Sequence, residues 1–211
     1  MLSELDKEKL KSDIIRASGI HPSRIFDIFL FGSRVYSTFN KKSDWDVIMV
    51  ANNSVESTEI RNGLFNIHVY TPKKFQEDLN WHRINNFECI YAPDWAKLKE
   101  DIKFEFKYDV KKLRHASSHI SSNSWVKSKK KIELGEYHIG VKSLFHSLRI
   151  TMFSIQIVQN NKIVDFSCAN YIWDNIKSRN WTFEELDDEY RLLKNKLNSE
   201  FRKITDKFEK C

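Results

Sequence analysis

The feature that most constrains this chain is the stretch FLFGSRVYSTFNKKSDWDVIMV, which covers residues 29–50. Its first apolar run stops at the pair Gly32-Ser33, and a polar, basic segment of about ten residues follows. A second apolar run then opens with Asp44 and Asp46, which are one residue apart. Short apolar runs separated by a glycine-containing polar segment are typical of two strands joined by a loop. The stretch therefore predicts two strands with paired carboxylates at the start of the second.

The spacing of the two aspartates indicates a metal site. Side chains alternate between the two faces of a strand, so Asp44 and Asp46 point the same way. Two carboxylates a few ångströms apart repel each other unless a cation lies between them or one of them is protonated. A hard divalent ion with oxygen ligands, Mg²⁺ or Mn²⁺, resolves this directly. We therefore predict that Asp44 and Asp46 are metal ligands and catalytic residues.

The turn before the loop indicates an anion site. Gly32 lets the backbone approach a ligand closely, and Ser33 adds a hydroxyl donor. Amides at the start of a following helix can also face an anion. A Gly-Ser turn alone, or S-D-x-D alone, is also explained by ordinary turn and strand-end chemistry. The combined order is more specific, and it suits a metal-bound triphosphate.

The remaining patterns place strands first and helices after, which predicts an α+β fold. We expect a mixed β-sheet flanked by helices over residues 1–100, followed by an α-helical domain over 101–211, with no further strand after residue 96. The expected strands are 25–31, 45–51 and 64–71, with a short strand or turn at 87–95. The expected helices are 3–18, one that Thr71-Pro72 opens, 136–159 and 182–208.

Composition limits the partners and the compartment. The formal charge of +6 favours anionic partners such as nucleotides or nucleic acid, although lysine-rich surfaces also serve solubility. The cysteines Cys89, Cys168 and Cys211 lack zinc-site spacing, which predicts reduced thiols and a cytoplasmic protein. No apolar run approaches the ~20 residues that span a bilayer, so no membrane partner is expected.

The stretch GSRVYSTFNKKSDWD resembles the signature of the DNA polymerase β-like nucleotidyltransferase superfamily, a Gly-Ser turn followed by S-D-x-D. It is most similar to the small predicted nucleotidyltransferases of bacterial, phage and large-virus genomes. A looser similarity extends to NIHVYTPKKFQEDLNWHRINNFECIYAP, and to SWVKSKKK and GVKSLFHSLRI in the helical half. The resemblance implies a catalytic domain followed by a helical domain that binds substrate and acts as a lid.

The resemblance also implies an activity, the metal-dependent transfer of a nucleoside monophosphate from a triphosphate such as ATP to an acceptor hydroxyl, with release of pyrophosphate. Gly32 and Ser33 would hold the β,γ-phosphates, and Arg34 would add positive charge beside them. Asp44 and Asp46 would bind two Mg²⁺ ions. The acceptor stays open between an RNA end such as that of a tRNA, a small molecule such as an aminoglycoside, and a protein that becomes AMPylated.

Two departures from the superfamily pattern matter. Ser37 stands where members commonly carry glycine. Many members also have a third carboxylate on the next strand, where this chain offers only Asn66 and His68. Asn66 could bind a metal through its carbonyl but cannot act as a base, whereas His68 could do either or be purely structural. The second hypothesis is therefore a non-catalytic module that binds nucleotide or RNA.

The helical half offers further candidate cations. Lys142, His146 and Arg149 recur at helical spacing, which predicts a cationic stripe that binds the triphosphate or a nucleic-acid backbone. The alternative is a polar face of a core helix.

A second cationic segment, SSHISSNSWVKSKKK, surrounds Trp125. Lys127 and Lys130 could contact phosphates while Trp125 stacks on a base. The alternative is a solvated helix with a buried tryptophan.

Overall fold

A computed structural model describes residues 3–208 of the chain, which divides into two compact units between Tyr108 and Asp109. We call them the N-terminal unit and the helical unit. The elements of the N-terminal unit, in chain order, are α1 (Glu4–Ser18), β1 (Ile25–Phe31), β2 (Trp45–Ala51), β3 (Ser57–Asn62), β4 (Phe65–Tyr70), α2 (Pro72–Asn80), α3 (Ile84–Ile90) and β5 (Lys97–Glu100).

The five strands form one mixed sheet in the order β3-β4-β2-β1-β5. The central strands β2 and β4 pair in parallel, and every other neighbouring pair is antiparallel. The prediction of a mixed sheet flanked by helices and followed by a helical region is therefore confirmed. The three predicted strands correspond to β1, β2 and β4.

Three elements around the edges of the sheet differ from the sequence-based expectations. No strand was predicted at β3, because its six residues are almost all exposed and show no apolar alternation. The other edge strand, β5, lies beyond residue 96, where no strand was expected, and has only four residues. The prediction of a strand or turn at 87–95 is wrong for residues 87–90, which belong to the helix α3, since a short apolar run fits either structure. A turn at Tyr91 and a 3-10 helix over Asp94–Ala96 follow.

One face of the sheet is covered by α2 and α3. Phe29 of β1, together with Ile48 and Val50 of β2, packs against Phe75 of α2 and Cys89 of α3. A buried phenylalanine such as Phe75 stabilises this layer by roughly 3–5 kcal/mol relative to alanine. Because alternate residues share a face, the side chain of Asp46, the second residue of β2, lies on the same face as Ile48 and Val50, at the start of the strand.

The start of α2 agrees with its sequence signals. The Thr71 side chain accepts a hydrogen bond from the Lys74 amide at 3.2 Å, and Pro72 occupies the first turn. These contacts satisfy the first amides of the helix and fix its direction where it leaves β4.

The helical unit consists of α4 (Val110–Glu133), α5 (Tyr137–Asn160), α6 (Asn170–Ile176) and α7 (Phe183–Phe208). Small side chains let α4 and α5 approach closely, with hydrogen bonds between the hydroxyls of Ser117 and Ser154 at 2.6 Å and of Ser121 and Ser147 at 3.1 Å. Thr182 and Glu185 cap α7 reciprocally, at the place where the helix predicted over 182–208 begins.

Two of the three predicted thiols, Cys89 and Cys168, are free cysteines, and Cys211 lies outside the described residues. The side chain of Phe208, the last residue of the helix predicted over 182–208, also lies outside the described part of the chain. None of the helices within residues 3–208 is long and apolar enough to cross a membrane.

Candidate active site

The turn after β1 lies directly against Asp46. β1 ends at Phe31, whose partner across the β1–β2 ladder is Asp46, and a 3-10 turn over Gly32–Arg34 follows. Gly32 has φ +77, and a Cβ atom placed on it would lie 2.3 Å from Asp46 Oδ2. Glycine is therefore required for two reasons, the left-handed backbone and the contact with the carboxylate.

The hydrogen bonds of this turn leave two amides for a ligand. The amides of Val35 and Tyr36 both donate to the Gly32 carbonyl, at 3.0 and 3.1 Å. The Val35 amide is the first in the turn that donates to a carbonyl of the turn. The amides of Ser33 and Arg34 come before it in the chain, so the turn itself supplies no acceptor for them. Such amides are well suited to hold an anion.

The loop between the turn and β2 is fixed by Arg34. Its Nη2 donates to the Ser43 carbonyl at 2.6 Å, and its Nε donates to the Asp44 carbonyl at 3.1 Å. The guanidinium also lies over the Trp45 ring, 4.0 Å from the centroid. Burial lowers the pKa of Arg34, whereas the carboxylates of Asp44 and Asp46 raise it, so both carboxylates act on this guanidinium.

Two details of the loop were not anticipated. Ser37 has φ +64, the left-handed conformation that favours glycine, which explains why glycine suits this position. The buried Tyr36 hydroxyl donates a hydrogen bond to the buried carboxylate of Glu88 on α3 and so anchors the turn to the covering helix. The sequence offers no signal for a contact between residues this far apart.

The next strand brings Asn66 to Asp46. The two residues are partners in the parallel β2–β4 ladder, and Asn66 Nδ2 donates to Asp46 Oδ1 at 3.3 Å. His68 Nε2 is 3.5 Å from the same amide nitrogen, and its ring meets Phe31 edge-on. Asn66 Oδ1 is buried and has no hydrogen-bond partner in the described part of the chain. Asp44 is exposed, just ahead of β2.

This donor set fits a divalent cation that takes further ligands from its substrate. Among residues 3–208, no group of three or more His, Cys, Asp or Glu side chains could hold a metal ion. Asp44 and Asp46 would supply carboxylate oxygens, and Asn66 Oδ1 is an amide oxygen without a hydrogen-bond partner among residues 3–208. Mg²⁺ is usually held by one or two carboxylates together with substrate phosphates and water.

The predicted cationic stripe on α5 is wrong in part. Lys142 is exposed, but Arg149 is only 5% exposed, and its Nη2 lies 2.8 Å from His146 Nδ1. Burial, with Arg149 and Lys127 nearby, lowers the pKa of His146 to about 3, so its ring is neutral at pH 7. The helical spacing placed the three residues on one face but gave no information on what covers that face.

The alternative of a buried tryptophan is confirmed for Trp125. Its ring is 7% exposed, its Nε1 donates to Asp187 Oδ1 at 3.2 Å, and Lys194 Nζ lies 4.2 Å from the ring centroid. Trp125 is therefore a core residue of the helical unit, whereas Lys127 and Lys130 are exposed on α4.

A mixed α+β sheet with a Gly-Ser turn packed against an S-D-x-D carboxylate defines a nucleotidyltransferase-type protein. In a scan against protein-family models, the model of the nucleotidyltransferase domain matches residues 12–158. The match covers most of the chain and includes the turn, both aspartates and β4, so the chain belongs to the nucleotidyltransferase domain family. A search of curated proteins gives no match to this chain.

Proposed function

We propose that this protein transfers a nucleoside monophosphate from a nucleoside triphosphate to an acceptor hydroxyl in a metal-dependent reaction. The observation that carries the proposal is the contact between the turn and Asp46, where a Cβ on Gly32 would lie 2.3 Å from Asp46 Oδ2. A phosphate held by the turn would therefore lie beside a carboxylate, and two such anionic groups repel each other unless a cation lies between them or one of them is protonated.

The reaction balances without any redox step. The acceptor hydroxyl oxygen forms a bond to the α-phosphorus, the bond from that phosphorus to the bridging oxygen breaks, and pyrophosphate leaves with the electron pair. The hydroxyl proton passes to solvent or to a base. Bound Mg²⁺ or Mn²⁺ would supply Lewis-acid stabilisation of the attacking and leaving oxygens.

The residues of the chain have separate roles in this proposal. Asp44 and Asp46 would hold the metal, and the Asn66 carbonyl oxygen would complete their donor set. The Ser33 hydroxyl and the amides of Ser33 and Arg34 would bind the β,γ-phosphates. The Arg34 guanidinium already bonds two loop carbonyls, so its main role would be to position Asp44.

The proposal assigns a different role to each part of the chain. The domain predicted over residues 1–100 would be catalytic, and the helical domain predicted over residues 101–211 would bind substrate and act as a lid. In the helical unit, nucleotide binding by Lys142, His146 and Arg149 stays a prediction, and the exposed Lys142 is the residue to test. If Lys142→Gln leaves the affinity for the triphosphate unchanged, Lys142 has no such role.

A second candidate function, a non-catalytic binding module, is favoured by one observation. Asn66 lies on the strand where many members of the superfamily carry a third carboxylate. Its side-chain amide donates a hydrogen bond to Asp46 and, unlike a carboxylate, cannot accept a proton from the acceptor hydroxyl. A module of this kind would bind ATP or another triphosphate, or RNA, without turnover. AMPylation of a protein and modification of a small molecule are the other acceptor classes.

Labelling with α-³²P nucleotides separates these functions. The protein is incubated with each of four labelled triphosphates, Mg²⁺ or Mn²⁺, and total RNA, beside an Asp44→Ala/Asp46→Ala variant. Label that enters RNA only with the wild type would establish an RNA nucleotidyltransferase. Metal-dependent triphosphate binding by calorimetry without label in RNA would direct the search to protein or small-molecule acceptors. Failure of both would refute the catalytic proposal.

A further inference from the structure

The net charge of this protein is concentrated on one helix. Residues 1–108 contain sixteen Lys or Arg and sixteen Asp or Glu, so the N-terminal unit has no formal net charge. α4 carries seven Lys or Arg and one acidic residue, Glu133. The difference of six equals the formal net charge of the whole chain, +6.

The charge pattern of α4 differs from that of α1, a helix on which acidic and basic residues are paired. α1 contains three ion pairs at i,i+3 spacing, which are Glu4–Lys7, Glu8–Lys11 and Asp13–Arg16. In α4, residues 110–132 contain no acidic residue at all. The acidic partners of Arg114, Lys129 and Lys131 come from outside that run, and they are Asp206, Glu133 and Glu136. Like charges gathered on one helix repel each other, and an anionic partner reduces that repulsion.

The exposed side of α4 is polar apart from Val126, and we call its polar residues the α4 basic face. Its members are Lys111, Lys112, His115, Ser118, His119, Ser122, Asn123, Lys127, Lys129 and Lys130, all exposed. The opposite side of the helix is buried through Leu113, Ser117, Ser121 and Trp125. From Lys111 to Lys130 the face is roughly 28 Å long at 1.5 Å per residue. That length is comparable to the axial length of about eight stacked nucleotides, at a rise of 3.4 Å each.

The chemistry of this face excludes a membrane as the favoured partner. α4 lies wholly within the described residues, and Val126 is its only exposed large hydrophobic side chain, so it has no apolar side to insert into lipid. Its tryptophan is buried, so α4 has no exposed Trp, Tyr or Phe ring as a stacking platform for bases, and the imidazoles of His115 and His119 are its only exposed aromatic rings. Near its start, Lys111, Arg114, His115 and Ser118 line an open surface cavity of about 360 Å³.

We propose that the α4 basic face binds the phosphodiester backbone of a nucleic-acid strand, without reading its sequence. Lysines at the two ends of the face contact phosphates, and the serine and asparagine side chains between them donate hydrogen bonds to phosphate or sugar oxygens. The identification of this strand as the acceptor rests on the proposed function. Binding itself does not, because it needs neither nucleotide nor metal.

The test compares two variants with the same change in charge. The α4 variant replaces four lysines of the basic face, as Lys111→Gln/Lys112→Gln/Lys127→Gln/Lys130→Gln. The control variant replaces four other exposed lysines of the helical unit, as Lys162→Gln/Lys196→Gln/Lys203→Gln/Lys207→Gln. Both lower the formal net charge from +6 to +2. Fluorescence anisotropy measures binding of a labelled 20-nucleotide single-stranded RNA, and of the DNA of the same sequence, in EDTA over a range of salt concentrations.

We expect the α4 variant to bind RNA on the order of 10- to 100-fold more weakly than the control variant. Its slope of log K against log salt should be smaller by about 3, at roughly 0.7 per lost phosphate contact. Equal binding of RNA and DNA identifies the backbone as the ligand, and tighter RNA binding adds contacts to the 2′-hydroxyl; both support the proposal. No RNA binding by the wild type, or equal losses in the two variants, overturns it.

The same assay keeps this proposal distinct from the proposed function. The Asp44→Ala/Asp46→Ala variant should bind RNA as the wild type does, because the aspartates do not belong to the α4 basic face. RNA binding without any nucleotide transfer would overturn the proposed function alone. Transfer to RNA by the wild type that the α4 variant fully retains, with unchanged RNA affinity, would overturn this proposal alone.

Discussion

Replacing Gly32 with alanine tests the contact on which the candidate active site depends. The new Cβ would lie 2.3 Å from Asp46 Oδ2 and 3.0 Å from Asp46 Cβ, at a residue with φ +77. The left-handed backbone costs a non-glycine residue about 1–2 kcal/mol, and overpacking adds about 1–3 kcal/mol. We expect the free energy of unfolding of the N-terminal unit to fall by roughly 3 kcal/mol.

The structure provides a matched control in Gly63. It also has a positive φ, +57, but a Cβ there would meet nothing within 4 Å. Gly63→Ala should therefore cost only the backbone strain, about 1 kcal/mol. Thermal melting followed by circular dichroism compares the two variants, at roughly 4–8 °C per kcal/mol for a unit of this size.

Activity gives a second measure of the same contact. If Asp46 shifts by about 1 Å to make room for the methyl group that Gly32→Ala introduces, nucleotide transfer should fall on the order of 100-fold, whereas Gly63→Ala should leave it unchanged. In an Asp46→Ala background, the stability loss from Gly32→Ala should shrink, because the nearest atom is gone. Equal stability and equal activity for Gly32→Ala and Gly63→Ala would refute the reasoning.

Substitutions at three other positions, Ser37, Asp27 and Asn66, test neighbouring parts of the fold. Ser37→Gly should leave stability unchanged or slightly higher, because relief of left-handed strain offsets glycine's entropy, while Ser37→Val should lose about 1–2 kcal/mol in thermal melts. Burial raises the pKa of Asp27 to about 6, so the protonated carboxyl favours the folded state and stability should decline as pH rises from about 4 to 6. Asp27→Asn should remove that decline, on the order of 3 kcal/mol, in urea titrations compared across pH; an identical decline in both proteins would contradict this. Asn66→Asp should lower the melting temperature in EDTA and increase the rise that Mg²⁺ causes, since it puts a carboxylate where an amide now donates to Asp46; an unchanged Mg²⁺ effect would argue against a metal at this place.

The sequence was sufficient where a local pattern determines the structure. The pair of apolar runs, the Gly-Ser turn and the S-D-x-D spacing predicted two neighbouring strands, and Asp46 does meet the turn at Gly32. The expected start of α2 at Thr71-Pro72 also agrees with the structure. In each case the residues that decide the conformation lie within a few positions of one another.

The sequence was insufficient where distant residues decide. The edge strand β3 has partners on one side only, so nothing requires its residues to be apolar. Arg149 and His146 share a helix face with Lys142, but packing within the helical unit buries Arg149 and partly buries His146. The bond between Tyr36 and Glu88 joins residues 52 positions apart, beyond the reach of any periodicity.

The bonds of Arg34 have a consequence for the tolerance of the loop to insertion. The guanidinium joins the turn to the carbonyls of Ser43 and Asp44, so hydrogen bonds close the base of the loop between them. These hydrogen bonds, and not the number of residues in the loop, set the position of the aspartates. Extra residues between the exposed Lys41 and Lys42 would lengthen the loop and leave the carboxylates in place, so a reporter label or an affinity tag can be inserted there.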